Sequence, residues 1–414
     1  MREVSHGPVR PDDVPLFVGH PRRSRRRPRL LVPLLSMALL AGAVAVANVK
    51  LLPAYLAGRQ CRVDDLRGVV PADGALVGVD LDWKHSTLAR HRQALGHAPA
   101  VAVEFASVPI PDGDRARIDS AAAQVRRNGG VLLLTLEPGG GLDTMTDPVI
   151  AQLVRELAQL NRRGVPVVLR FAHEMNGSWY AWGQQPRRYV QVFRRVAQAV
   201  HAQAPGTAMM WAPSYGGGYP FRSTYTPKRG TRDYRDLDTN GDGRLTMADD
   251  MYAPFYPGDD VVDWVGLSAY HWGNRYPWGE NEVPEPGRFA AMLSGTYQGS
   301  IGDERKVPDF YRVYGVVHGK PVGIPETAAF YAPGRSGASE SAIKRAWWRQ
   351  VFSGQVHQRY PQVKMINWFE IRKYETEVDE VVDWRFDASP ALAASFRADL
   401  PGWARYADAV KACD

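Results

Sequence analysis

From residue 75 onward the chain alternates short apolar, β-branched runs with longer amphipathic stretches. Eight such runs occur, at 76–79, 101–105, 131–136, 167–171, 208–212, 264–269, 322–325 and 364–369. Between them lie segments such as 150–162 and 189–203, where apolar residues recur every three or four positions and predict helices. Strands that are apolar throughout, rather than at alternate positions, are buried on both faces, as in a parallel sheet covered by helices. Eight strand–helix units within 75–414 predict an α/β fold closed as a (β/α)8 TIM barrel; an open doubly wound sheet is the competing arrangement.

The first 74 residues break this pattern. Residues 1–29 carry eight arginines against three acids, so five of the seven net positive charges sit in a basic tail. The rest of the chain is nearly neutral and implies no nucleic-acid partner. Residues 30–50 are apolar apart from Pro33, Ser36, Asn48 and Lys50. As a helix, about twenty residues span about 30 Å, the thickness of a bilayer's hydrocarbon core. Arginines before this stretch predict a cytoplasmic tail, a single-pass anchor in the cell membrane, and an extracellular catalytic domain. Ala45-Val46-Ala47 also suits signal cleavage, which would leave a secreted protein. Residues 51–74 read as a linker. Either route exports the barrel to an oxidising compartment, where Cys61 and Cys413 are expected to bridge the neighbouring ends of a closed barrel.

Chemistry on a barrel gathers where strands end. Here strand 2 ends in Glu104, strand 3 in Glu137, strand 4 runs into His173-Glu174, strand 6 into Tyr270-His271-Trp272, strand 7 into Glu326, and strand 8 into Trp368-Phe369-Glu370. Carboxylates and aromatics therefore share one rim. Cleaving a glycosidic bond takes two carboxyl groups, one to protonate the departing oxygen and one to attack the anomeric carbon or activate water. Twelve Trp and 18 Tyr offer flat faces on which sugar rings pack, although many must serve the core. Glu174 and Glu326 face each other across the predicted mouth; a separation of about 5–5.5 Å would permit direct attack and retention of configuration.

These residues carry a resemblance. Segment 170–182 (RFAHEMNGSWYAW), with 257–267 (PGDDVVDWVGL) and 320–327 (KPVGIPET), is similar to glycoside hydrolase family 26, whose members include β-mannanases and enzymes acting on xylan or mixed-linkage glucan. The resemblance implies that Glu174 is the general acid/base and Glu326 the nucleophile, with Tyr270 orienting Glu326. It also implies sugar contacts from His173, Trp179 and Trp368, to which Trp182 and Trp272 are added as aromatic candidates. The expected activity is endo-acting, retaining hydrolysis of a β-linked polysaccharide, β-mannan first, by a monomer with no catalytic cofactor. Two other readings stay open: a carbohydrate-binding or exopolysaccharide-assembly protein on a hydrolase barrel, and a transglycosylase.

One motif stands apart. Residues 238–249 read D-x-N-x-D-G-x-L-x-x-x-D, offering oxygen from Asp238, Asn240, Asp242, the Arg244 carbonyl and Asp249, with Gly243 at the sharp turn. A hard cation favours such an all-oxygen set, and a structural Ca2+ is expected there.

Overall fold

The computed structural model describes residues 61–66, 68–300 and 302–412. The basic tail, the apolar segment 30–50 and Cys413 lie outside them, so the expected anchor and the Cys61–Cys413 pairing do too. No described helix is long and apolar enough to cross a membrane.

Eight parallel strands close the barrel: β1 (Ala75–Leu81), β2 (Val101–Ser107), β3 (Val131–Glu137), β4 (Val167–Phe171), β5 (Thr207–Trp211), β6 (Trp264–Gly266), β7 (Val322–Thr327) and β8 (Val363–Glu370). Each pairs with the next, and β8 returns to β1 through a register running from Leu76–Met365 to Leu81–Glu370. Between strands run α1 (Leu88–Leu95), α2 (Asp112–Asn128), α3 (Asp147–Arg162) and α4 (Pro186–Gln203). After β5 and β6 come long excursions carrying α5 (Arg232–Leu237), α6 (Arg288–Leu293) and a π-helical turn (Tyr311–Val317). Outside β7 and β8 lie α7 (Glu340–Val351), α8 (Gly354–Arg359) and α9 (Pro390–Asp399). Helix starts are capped locally: the Thr87 hydroxyl accepts from the Arg90 amide at 3.2 Å and Ser339 accepts from Ala342 at 3.3 Å.

Strand parity sorts the side chains into two cores. Leu76, Val101, Val103, Val131, Leu133, Val168, Met210, Trp264 and Met365 fill the barrel's interior. Their neighbours in sequence, such as Val77, Ala102, Leu132, Leu169 and Ile366, pack outward against the helices. Continuing the inward parity carries Asp80, Glu137, Arg170 and Phe369 toward the carboxyl ends of their strands. Gly78 lies on this inward row because any Cβ there would strike the Asn367 side chain and Val101.

Two features differ from the sequence reading. The expected linker is part of the barrel from Val63 onward. The Val63 amide bonds the Asn161 carbonyl at 3.0 Å, and Val69 is buried in the inner cluster, against which Leu66, Ala409 and Val410 also pack. The other is an antiparallel hairpin of β9 (Arg372–Glu375) and β10 (Glu380–Asp383), which follows β8 directly. Its Asp379 turn, at φ 55°, carries none of the usual Asn-Gly signals.

Candidate active site

The segment after β4 explains its own sequence. Ala172 and Glu174 take left-handed backbone angles, φ 47° and 52°, which ordinary residues adopt at a cost of about 1–3 kcal/mol each. Surrounding bonds hold them there. The Ala172 amide donates to Leu136 O at 2.9 Å and the Glu174 amide to Ala212 O at 2.8 Å. Met175 is buried in the outer core. Asn176 clamps the next loop, its amide donating to Ser214 O at 2.8 Å and its carbonyl accepting from Ser214 N at 2.9 Å. A Cβ at Gly177 would collide with the Trp179 indole, so glycine lets that ring fold back. The indole Nε1 then donates to Glu174 Oε2 at 3.2 Å.

Glu326 arrives from β7 and is 7% exposed. Arg170, wholly buried, donates through Nη1 to Glu326 Oε1, and the Tyr270 hydroxyl donates to Oε2 at 2.6 Å. Each carboxylate oxygen thus has its own donor, which fixes the orientation of the Glu326 carboxyl. Arg170's other amino group, Nη2, donates to Ser268 Oγ at 2.7 Å. Burial works against the Arg170 charge, but the negative groups at Glu326 and Glu174 outweigh it and hold the guanidinium protonated.

The two glutamates sit in opposite electrostatic settings. Burial, then the charge of Glu326, pushes the Glu174 carboxyl up to about 7, while Arg170, Ser268 and Trp179 pull it the other way. A group poised there is protonated in mild acid and can ionise near neutrality. Burial and the same Glu326 charge raise Asp80 well above the carboxylate range and raise Glu137. His173 is held neutral by burial and by Arg170; it is buried against Phe105, Tyr180 and Trp182, with its Nδ1 unpartnered. Two aromatics nearby are partly exposed: Trp179, beside Glu174, lies edge-to-face with Phe221 at 4.9 Å, and Trp272 meets Trp384 at 4.9 Å, which in turn packs on Tyr270 at 5.4 Å.

Residues 138–303 match the model of glycosyl hydrolase family 26. Endoglucanase H of Acetivibrio thermocellus is 25% identical over 285 residues, 67% of this chain and 25% of that protein. A mannan endo-1,4-beta-mannosidase of Bacillus subtilis is 26% identical over 131 residues, 30% of this chain and 28% of that protein. The chain spans about a quarter of the length of either relative. A modular endo-beta-1,4-mannanase from Cellulomonas fimi shares the fold with a TM-score of 0.53 at 17% identity, over 85% of this chain and 78% of that one. Residues 138–303 are thus similar to glycosyl hydrolase family 26.

Against that family frame, two expected sugar contacts are corrected. Trp368 faces outward from β8, is 1% exposed, and packs between Trp348 and Phe396 with its Nε1 donating to Trp384 O at 3.0 Å. Parity explains it: Met365 points inward, so Trp368 cannot. Trp182 is also buried; it stacks on Tyr180 at 4.3 Å and donates to His173 O at 2.7 Å, fixing the strand-4 loop instead of displaying a face. Glu104 points away from the lumen, bonded by Arg117 Nε at 3.0 Å, and Glu370 accepts from the Phe386 and Asp387 amides at 3.1 and 2.9 Å. Ser268 was the residue that sequence reasoning passed over, although it stands two positions before Tyr270 on the same inward row.

The acidic loop 238–249 closes on itself. Asp242 N donates to Asn240 Oδ1 at 2.9 Å, Arg244 N to Asp242 Oδ1 at 2.8 Å and Gly243 N to Asp238 Oδ2 at 2.9 Å. Asp249 is buried and accepts from the Asn240 and Thr246 amides, at 3.3 and 2.8 Å. Asp238 Oδ1 is buried without a partner. Among the described residues no three His, Cys, Asp or Glu side chains converge as a metal site.

Proposed function

We propose that this chain is a family 26 enzyme, a retaining, endo-acting hydrolase of a β-linked polysaccharide, with β-mannan as the first candidate. The observation that carries the reading is the split environment of the two glutamates: Glu326 held by Arg170 and Tyr270, Glu174 kept neutral to about 7 by burial beside it. The mannan assignment draws on the name of the Bacillus subtilis relative.

In the first step Glu326 attacks the anomeric carbon as the bond to the leaving sugar breaks, and Glu174 gives its proton to the departing oxygen. Esterification removes the Glu326 charge, and with it one of the causes that hold Glu174 protonated. Glu174 is then suited to accept a proton from water, whose oxygen bonds the anomeric carbon and frees Glu326. Trp179 and Trp272 supply the sugar platforms.

The same proposal includes a structural Ca2+ at 238–249. In its support are the unpartnered Asp238 Oδ1 and the oxygen-only donor set; a carbonyl and Asn ligand complete what three acids alone do not. Calorimetry at millimolar Ca2+ tests it: the expected result is a rise in Tm, and no heat and no shift would end it. Export through residues 30–50 is likewise proposed, and membrane fractionation of the full chain distinguishes anchored from released protein.

The activity test is a panel of mannan, glucomannan, xylan and mixed-linkage β-glucan, read by reducing ends, with 1H NMR of the first product anomer. Release of shorter oligosaccharides with retained configuration is expected. Inverted product would contradict the mechanism, and silence on every polymer would contradict the activity.

A further inference from the structure

The β9–β10 hairpin is a two-stranded sheet of its own, and the residue that follows it, Trp384, reaches Tyr270. Trp384 is 1% exposed. Its main chain is fixed on both sides, since its amide donates to Ile371 O at 3.0 Å and its carbonyl accepts from Trp368 Nε1 at 3.0 Å. Its indole Nε1 donates to Glu375 Oε1 at 2.7 Å, which ties the end of β10 back to β9. Oε2 of Glu375 pairs with Lys373 Nζ at 3.1 Å. A carboxylate as buried as Glu375 is costly unless partnered. Here both oxygens are partnered, so the indole has an acceptor that stays in place.

The ring held in this way meets Tyr270 edge-on, with 5.4 Å between centroids and 64° between planes. Phe369 of β8 meets Tyr270 likewise, at 5.8 Å and 79°. Aromatic rings favour such T-shaped packing over a face-to-face sandwich. The main chain beside Tyr270 is set by two bonds, from the Ala269 amide to Glu326 O at 3.1 Å and from the His271 amide to Ala328 O at 3.0 Å. Rotation of the side chain is then what remains to be fixed. One hydrogen bond to Glu326 Oε2, at 2.6 Å, restrains the hydroxyl but not the tilt of the ring. Phe369 and Trp384 restrain the tilt, the first from the barrel and the second from the hairpin.

We propose that Trp384, locked by Glu375, is a positioning residue that holds the Tyr270 hydroxyl on the Glu326 carboxyl. The proposal rests on the hydrolase reading given above and deepens it. Glu326 must approach the anomeric carbon along one line. If Tyr270 tilts away, the carboxyl can turn about the bond that Arg170 makes to its other oxygen. Misalignment of a reacting group slows the chemical step steeply, even when its cause lies away from the reacting atoms.

The test is a double-variant cycle on kcat with Trp384→Phe and Tyr270→Phe, each shown to be folded by its melting curve. Trp384→Phe is expected to lower kcat by about ten- to a hundredfold, the scale of a misplaced reacting group. Added to Tyr270→Phe, the same substitution should lower kcat no further, because the hydroxyl it positions is already gone. A merely structural tryptophan would lower Tm and leave kcat in place, or lower kcat by the same factor in both backgrounds. Either result overturns the proposal. Glu375→Ala, which frees the indole, takes the place of Trp384→Phe in the same cycle should that variant not fold. Without substrate, 13C NMR of protein labelled at tyrosine Cζ reads the same contact, the Tyr270 signal being identified by its loss in Tyr270→Phe. In Trp384→Phe that signal should move toward the position of an unbonded tyrosine, and an unmoved signal overturns the proposal. If the wild type cleaves no glycan, the hydrolase reading fails while the tyrosine signal still decides the positioning.

Discussion

Arg170 and Glu326, brought from non-adjacent strands β4 and β7, form an ion pair whose guanidinium is wholly buried under the mouth of the barrel. Removing one partner of such a pair leaves an uncompensated charge, which costs more than the pair itself contributes. Arg170→Met is therefore expected to destabilise the fold by about 3–5 kcal/mol, read as a lowered Tm. Unchanged thermal stability would mean that the pair is solvated and not part of the frame.

Glu174 predicts a pH dependence of both activity and stability. Its folded value, about 7, lies above that of a free glutamate. The acid form needed for leaving-group protonation is lost as pH rises, so kcat/KM should fall through about 7. For stability the sign is the same. The contribution of neutral Glu174 is present at low pH and disappears as pH rises through the folded value. Glu174→Gln should accordingly be more thermostable than the wild type at pH 8, with the gap closing toward pH 5. A constant gap across that range would contradict the assignment.

The two tryptophans first taken together as sugar contacts should separate by experiment. Trp368→Phe should lower Tm and leave KM unchanged, because Trp368 packs against Trp348 and Phe396 outside the barrel. Trp179→Ala should raise KM, because its partly exposed ring stands beside Glu174. Steady-state kinetics beside calorimetry on both variants checks this, and a KM effect from Trp368→Phe would reverse the correction.

How far the sequence could be read follows the same division. The barrel was legible because strands buried on both faces leave long apolar runs, and β1 to β4 lie where those runs lie. The carboxylates were legible because a barrel puts strand-end residues on one rim. Parity could have excluded Trp368, since an inward Met365 fixes the face of every second residue of β8. The β9–β10 hairpin was hidden by charged residues and an Asp379 turn that lacks glycine. Ser268 was hidden for a different reason. A serine just past a strand carries no signal of its own, and its meaning comes only from Arg170, which lies 98 positions away in the chain.

The central claim is that Glu174 and Glu326 together break the glycosidic bond. The most direct measurement is turnover of a cleaved polysaccharide by Glu174→Gln and Glu326→Gln, each shown to be folded by its melting curve. The account predicts that Glu326→Gln abolishes turnover and that Glu174→Gln loses about 10²–10⁴-fold, the usual contribution of a general acid/base. Near-wild-type turnover in either variant would contradict it.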